Sequence, residues 1–384
     1  MRFHGDLCVI DGNEVDRLIL DLVGPRGRCV PTIHRGSLGM EIAPASALIE
    51  MSKRNEGHRS RRDASWYWYE EGDLGGAIPF SVSTLYRGQN AHHTPMLPSI
   101  GRGLQSHDIE KIHQGSIADQ ARIIFRVAQA WWFSRELTHH PISHHAAGQR
   151  LDLDPIALAQ HYGIPTGYLD LSDDFNVSAF FATCHETKDG WKPVEAGVGV
   201  MYRVHLRKLQ PPFDNYIPLG PQPLPRPSEQ CAWVTALPFC HSFEGWPGVE
   251  LLPFEHDRHV GQHFLEMFEG GERLFPPDPL ADVAAEILAC GEIPSDIVEA
   301  ALESYEKYPY GMISEHLPAL RKEIATLASL VDYRRLLTDQ QIAPLLADPQ
   351  WVEQRLGTVT AKAVAISRVR IPPSDAAREA DSTN

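Results

Sequence analysis

The chain has 384 residues, 43% of them hydrophobic, enough to bury a substantial core, which excludes wholesale disorder and leaves one large domain with additions or two domains. A net charge of −15 repels phosphate backbones, so a nucleic acid is not an expected partner without a local basic patch. Six scattered cysteines with no CxxC pair, no apolar run near the ~20 residues of a membrane span and an acidic N-terminus together predict a reduced, cytoplasmic protein with no membrane partner.

Residues 1–76 read as an N-terminal extension with an apolar start at Leu7 to Ile10, a helical stretch at Val15 to Leu22 and a helix from Pro44 to Met51. Lys53 to Asp63, KRNEGHRSRRD, has no apolar periodicity and predicts a solvated loop, open to gripping a phosphate or an acidic partner. The run Trp66 to Tyr69, WYWY, offers a base-stacking platform, although adjacent aromatics alternate faces on a strand and favour core packing. Ser83 to Arg87 predicts a strand entering a turn at Gly88, and Asp119 to Leu137 an amphipathic helix. Leu151 to Tyr162 predicts a helix capped by Asp154, with Pro155 at its first position and Gly163 and Pro165 ending it.

A buried strand follows at Thr166 to Ser172, an apolar helix at Phe175 to Cys184 and a core strand at Gly197 to Leu206. The proline-rich stretch from Gln210 to Pro227 predicts a long irregular connection suited to a lid. Cys231 to Leu237 and Val249 to Phe254 are strand candidates, and Gly261 to Phe268 turns helical. Alanine, leucine and glutamate then dominate, with helices at Leu280 to Ala289, Asp296 to Tyr305, Leu317 to Leu330 and Asp339 to Leu346. The expected fold class is α+β: a small mixed or antiparallel sheet with flanking helices, a helical C-terminal extension over 291–371, and a disordered tail over 372–384.

The chemistry-bearing residues concentrate in two places. Arg87, at a strand end and followed by Gly88, suits an anion clamp, because guanidinium meets phosphate oxygens through parallel donors and glycine lets a ligand approach the backbone. A buried pair with Asp170 explains the same arginine equally well. Gln160, His161, Thr166, Asp170 and Ser172 lie between apolar segments, so they either satisfy one another or face a pocket. The histidines of HHPISHH, His139 to His145, lack a partner at a recognised metal spacing, and no metal is expected; His92 and His93 fit a solvated turn or a second contact to the ligand of Arg87.

Four blocks occur in order: YRGQ at Tyr86 to Gln89, AQHYGIPTGYLDLSDDFNVSAFFA at Ala159 to Ala182, RPSEQ at Arg226 to Gln230, and GGERLFPPD at Gly270 to Asp278. Together they resemble the FRG domain, named for its aromatic-Arg-Gly signature, here bounded at 77–290. Leu171 stands where that family usually has tryptophan, and Ala232 and Trp233 where it tends to have glycine and an aromatic.

The order of these pieces is also similar to the ADP-ribosyltransferase fold, with Arg87 on an early strand, the Thr166 to Ser172 strand leading into a helix ending Phe180-Phe181-Ala182, and Glu229-Gln230 later. That resemblance implies an enzyme acting on NAD as substrate, in the setting of a bacterial toxin or phage-defence effector. Its catalytic set would be Arg87 on the pyrophosphate or ribose, Ser172 on the nicotinamide ribose, Glu229 against the charge that builds on the sugar, and Gln230. Tyr86, Gly88, Gln89, Gln160, His161, Thr166 and Asp170 would line the ligand site. The FRG pattern centres on Gln230, which cannot supply charge, so nucleotide or phosphate binding without chemistry stays open. So does a nucleic-acid-directed protein using Lys53 to Arg62 and WYWY, and so does the identity of any macromolecular acceptor.

Overall fold

The computed structural model describes residues 2–4, 7–9, 42–56, 66–71, 74–79, 82–105, 116–143, 150–151, 153–206, 216–219, 224–237, 242–246, 248–306, 314–348 and 369–370. Its elements begin with β1 (Arg2–His4), β2 (Leu7–Val9), α1 (Ser46–Glu56), β3 (Trp66–Glu71), β4 (Leu74–Pro79), β5 (Thr84–Gln89), α2 (Ile117–Leu137), β6 (Arg150–Leu151) and α3 (Pro155–His161). Next come β7 (Tyr168–Ser172), α4 (Phe175–Thr183), β8 (Cys184–Thr187), β9 (Gly190–Pro193), β10 (Val198–His205), β11 (Tyr216–Pro218), α5 (Pro225–Glu229), β12 (Ala232–Ala236), β13 (Val249–Glu255) and α6 (Arg258–Met267). The last are α7 (Pro279–Ala289), β14 (Glu292–Pro294), α8 (Ser295–Glu306), α9 (Leu317–Leu327), β15 (Ser329–Val331), α10 (Asp339–Ala347) and β16 (Val369–Arg370).

The fold class is α+β, built on a six-stranded antiparallel sheet in the order β11-β12-β7-β5-β10-β13. Alternation along the strands feeds two cores. Leu85, Val200, Tyr202 and Val204 point to one face, whereas Tyr86 and Met201 point to the other and pack on α4. β5 pairs with β10 along its whole length, Thr84 to Gln89, but meets β7 only at Tyr86 and Ser172. Beyond that single pair the two middle strands part, and the candidate site occupies the gap.

A third core forms around α2. Ile123, Trp132 and Phe133 of that helix share one apolar cluster with Leu280, Leu302 and Leu320 of the C-terminal helices. A fully buried carboxylate locks this arrangement, since Glu136 accepts hydrogen bonds from the Tyr333 hydroxyl and from the backbone N–H groups of Leu336 and Leu337, each at 2.9 Å. Four acceptor sites on one carboxylate suit such a junction, because buried charge is tolerated when it is densely hydrogen-bonded.

Local signals specify several elements well. Asp154 Oδ1 accepts from the backbone N–H groups of Ile156 and Ala157 at 3.0 and 2.9 Å, and Pro155 opens α3, as its sequence predicts. Other expectations need correction. The basic run does not begin as a loop: Lys53 to Glu56 close α1, where Lys53 and Arg54 sit favourably at the negative end of the helix dipole, and 57–65 lie outside the described residues. The proline-rich connection contains β11 and the short helix α5, which starts on Pro225. The helix expected to reach Leu330 stops at Leu327, and Ser329 to Val331 instead pair in parallel with β14. The β8–β9 hairpin was missed, although Asp189-Gly190, with Gly190 at φ 101°, is a turn signal. WYWY lies on β3, paired with β4. Val15 to Leu22 and the tail over 372–384 lie outside the described residues.

Candidate functional site

A cleft of about 970 Å³ opens where β5 and β7 diverge. Arg87 projects into it from β5, half-buried, and its Nη1 donates to the backbone carbonyl of Asp170 at 2.6 Å. That carbonyl belongs to the strand edge that β5 no longer reaches, so the guanidinium takes the place of a missing ladder partner. Arg87 Nε is buried with no hydrogen-bond acceptor, and the Asp170 carbonyl is the only acceptor its side chain has among the described residues. Burial pushes the Arg87 pKa down, the Asp170 carboxylate pushes it back up and Arg102 lowers it again; the group stays cationic because guanidinium starts so high.

Behind Arg87 the polar block forms two hydrogen-bonded groups that meet, without a bond, at Asp170 and His161. Gln160 Oε1 accepts from the hydroxyls of Ser99 and Thr166 at 2.9 and 2.8 Å, and its Nε2 donates to Asp170 Oδ2 at 3.1 Å. His161 Nδ1 lies 3.2 Å from Gln230 Oε1, and its Nε2 lies 3.4 Å from Asp170 Oδ1. Gln230 Nε2 donates to the Leu274 carbonyl at 3.0 Å. The Ser172 hydroxyl donates to the Gln230 carbonyl at 2.7 Å and accepts from the Asp174 N–H at 3.0 Å, tying β7 to the end of α5.

Of the residues expected to act, Tyr86, Arg87, Gly88, Gln89, Gln160, His161, Asp170, Ser172 and Gln230 line this cleft. Thr166 does not; it is buried and supports Gln160 from behind. Glu229 does not either, and its carboxylate pairs with Arg273 Nε at 3.6 Å. The Ser172 proton is already committed to Gln230, so the hydroxyl can offer a ligand only an acceptor. Gly88 has a different reason from ligand approach: a Cβ there would run into the Ser178 carbonyl and come within 2.7 Å of the Ala182 nitrogen, so the glycine admits α4. Asp170 does meet Arg87, but through its backbone rather than its carboxylate.

The far wall of the cleft went unread in the sequence. Arg226 is held between two rings, its guanidinium carbon 5.1 Å from the centre of Tyr162 and 4.9 Å from that of Phe275, and Phe275 stacks on Trp191 at 5.2 Å and 18°. Its Nη1 donates to the His161 carbonyl at 3.2 Å, while Nε is buried without an acceptor. Tyr162 is fixed in turn by donating its hydroxyl to Asp278, which also caps α7. Arg102 and Glu186 complete the charges, giving three guanidinium groups against two carboxylates in a protein of net charge −15. Cys184 also lines the cleft, but burial raises its pKa to about 11, so it presents a thiol and not a nucleophilic thiolate.

Residues 82–190 match the FRG domain. This protein has an FRG domain. The match opens just before β5 and closes inside the β8–β9 hairpin, so it includes Arg87, the polar network from Gln160 to Ser172 and Glu186. Arg226, Gln230 and Phe275, which complete the FRG cleft, lie beyond the end of the match. No curated protein and no solved structure matches the sequence.

Among the described residues no set of three His, Cys, Asp or Glu is arranged to hold a metal, and no helix is long and apolar enough to cross a membrane. The histidine-rich segment is used structurally. His139 Nε2 lies 3.1 Å from the Tyr333 hydroxyl, and His140 Nδ1 accepts the Ile142 N–H at 3.3 Å; His144 and His145 lie outside the described residues. Burial lowers the His140 pKa to about 4. Below its unfolded value the unfolded chain takes up a proton that the folded one refuses. His140 therefore contributes fully above about pH 6.5, and its contribution, roughly 3 kcal/mol, is lost as pH falls towards 4. His140→Phe is expected to flatten the fall in unfolding free energy across that window; an unchanged acid limb in denaturant titrations would refute this.

Proposed function

We propose that the FRG cleft binds a diphosphate-bearing nucleotide of the NAD class, and that the protein is an ADP-ribosyltransferase-like enzyme that breaks the bond between nicotinamide and ribose. The observation that carries this reading is the convergence of Arg87, Arg102 and Arg226 with an aromatic column on one cleft of about 970 Å³, in an otherwise acidic protein. Guanidinium forks suit phosphate oxygens, flat rings suit nucleobases and nicotinamide, and the volume suits a cofactor-sized ligand. Unpartnered buried donors on Arg87 and Arg226 favour an anion, because an acceptor there relieves their desolvation.

The proposed fold likeness to ADP-ribosyltransferases is supported by the order of elements: Arg87 on β5, then β7 leading into the Phe180-Phe181-Ala182 end of α4, within an antiparallel sheet. Incubated with NAD, the purified protein is expected to release nicotinamide, read by chromatography, with water or a macromolecular hydroxyl as acceptor. In cells the corresponding expectation is NAD depletion and arrested growth on expression, as for a toxin or defence effector. NAD left intact after prolonged incubation with stoichiometric protein would overturn the enzymatic claim.

A second reading, nucleotide binding without turnover, is favoured by one observation: the acidic residue of the RPSEQ block, Glu229, faces Arg273, and the neutral Gln230 occupies the cleft. NAD that binds and is never consumed would decide for it.

A further inference from the structure

We infer that Asp170, not Glu229, is the carboxylate that acts on the ligand, with Gln160 as its positioning residue. The inference rests on the NAD-consuming reading above and deepens it. Asp170 lies on β7 at the mouth of the split sheet, and its side chain keeps 36% exposure while lining the cleft. One of its oxygens is aimed by a hydrogen-bonded neighbour. Oδ2 takes a hydrogen bond from Gln160 Nε2 at 3.1 Å, and the Gln160 amide has one orientation only, because Ser99 and Thr166 hydroxyls both donate to its oxygen. Oδ1 is buried 3.4 Å from His161 Nε2, with no hydrogen bond between them. The imidazole is oriented by Gln230, whose own amide is fixed by the Leu274 carbonyl, which makes Nδ1 the donor to Gln230 Oε1.

Arg87 and Arg102 stand near enough for the Asp170 carboxylate to raise their pKa values, but neither clamps it. Arg87 could quench this carboxylate, yet it bonds the Asp170 backbone instead, and among the described residues no arginine or lysine forms an ion pair with the carboxylate. Ser99 and Thr166, from separate stretches of sequence, thus act through Gln160 on one negative group that stays partly open to the cleft. A carboxylate held in place before charge develops stabilises that charge with little reorganisation.

In the step proposed, the bond between the nicotinamide nitrogen and ribose C1′ breaks and its electron pair leaves with the ring, so nicotinamide departs neutral. Positive charge grows on the ribose facing Asp170. The oxygen of water or of an acceptor hydroxyl forms the new bond to C1′, and its proton passes to the Asp170 carboxylate and on to solvent. Glu229 is tied to Arg273 outside the cleft and takes no part.

The test compares nicotinamide release and ADP-ribose binding in wild type, Asp170→Asn and Glu229→Gln. Asp170→Asn is expected to lower kcat by about 10²- to 10³-fold with KM and ADP-ribose affinity within about threefold of wild type, and Glu229→Gln to stay within about twofold. Gln160→Ala, which removes the one side-chain donor that Asp170 Oδ2 has among the described residues, is expected to lower kcat at unchanged KM. Wild-type turnover in Asp170→Asn, or loss of ADP-ribose affinity along with turnover, would overturn the assignment alone. A wild-type protein that releases no nicotinamide would instead remove the reading beneath it.

Discussion

Arg87→Ala is expected to weaken ADP-ribose binding by at least about 100-fold, close to 3 kcal/mol, and to bring nicotinamide release to background. The size of the effect follows from where the guanidinium stands. It is the only described group that both reaches into the cleft from β5 and holds the free edge of β7, through the Asp170 carbonyl. Alanine removes the anion contact and also leaves that carbonyl without its donor, so the cleft loses a ligand and its shape together. Arg87→Lys separates the two contributions. Lysine keeps the charge but not the fork, and one ammonium cannot cap the carbonyl and grip a phosphate with equal geometry, so an intermediate loss of roughly tenfold is expected. Wild-type affinity in Arg87→Ala, in a protein that still melts cooperatively, would contradict the placement of the ligand.

Gly88→Ala is expected to cost about 3 kcal/mol or more of stability, lowering the melting temperature by several degrees and depressing soluble yield. The added Cβ would meet the Ser178 carbonyl oxygen, and it would lie 2.7 and 2.8 Å from the backbone nitrogen and Cβ of Ala182. These are atoms of α4 itself and not of a flexible side chain, so the helix must move off β5. That displacement would carry Tyr86 and Phe175, which meet edge to face at 5.4 Å, out of the core. A Gly88→Ala protein melting with wild type, measured by circular dichroism, would show that α4 can give way cheaply.

The two neighbouring positions illustrate what a sequence discloses. Arg87 and its polar partners from Gln160 to Ser172 were legible because most of them lie on one contiguous stretch, where five polar residues between apolar segments have to face something. Gly88 was legible as a place of close approach, but a glycine does not say what approaches; here it is a helix, not a ligand. The choice between Glu229 and Gln230 turned on a single residue step at the end of a five-residue helix, which sends one side chain to Arg273 and the other into the cleft. No periodicity predicts that rotation. Arg226, Phe275, Trp191 and Arg102 were invisible as a set, because they reach the cleft from four separate segments and only the folded protein places Arg226 between two rings.

The same distinction applies to the fold. Helix caps such as Asp154 are local events and read directly from a few residues. The C-terminal helices were readable one by one, but not their merger with α2 into a single core, nor the role of Glu136 in clasping Tyr333, Leu336 and Leu337, because these contacts join residues about 200 positions apart.

Calorimetric titration of the full-length protein with ADP-ribose tests the central claim most directly, since it asks for occupancy of the Arg87 cleft without asking for chemistry. Saturable one-to-one binding in the micromolar range, weakening with added salt and lost in Arg87→Ala, is the predicted result. Absence of heat up to millimolar ADP-ribose, or binding that Arg87→Ala leaves intact, would contradict it.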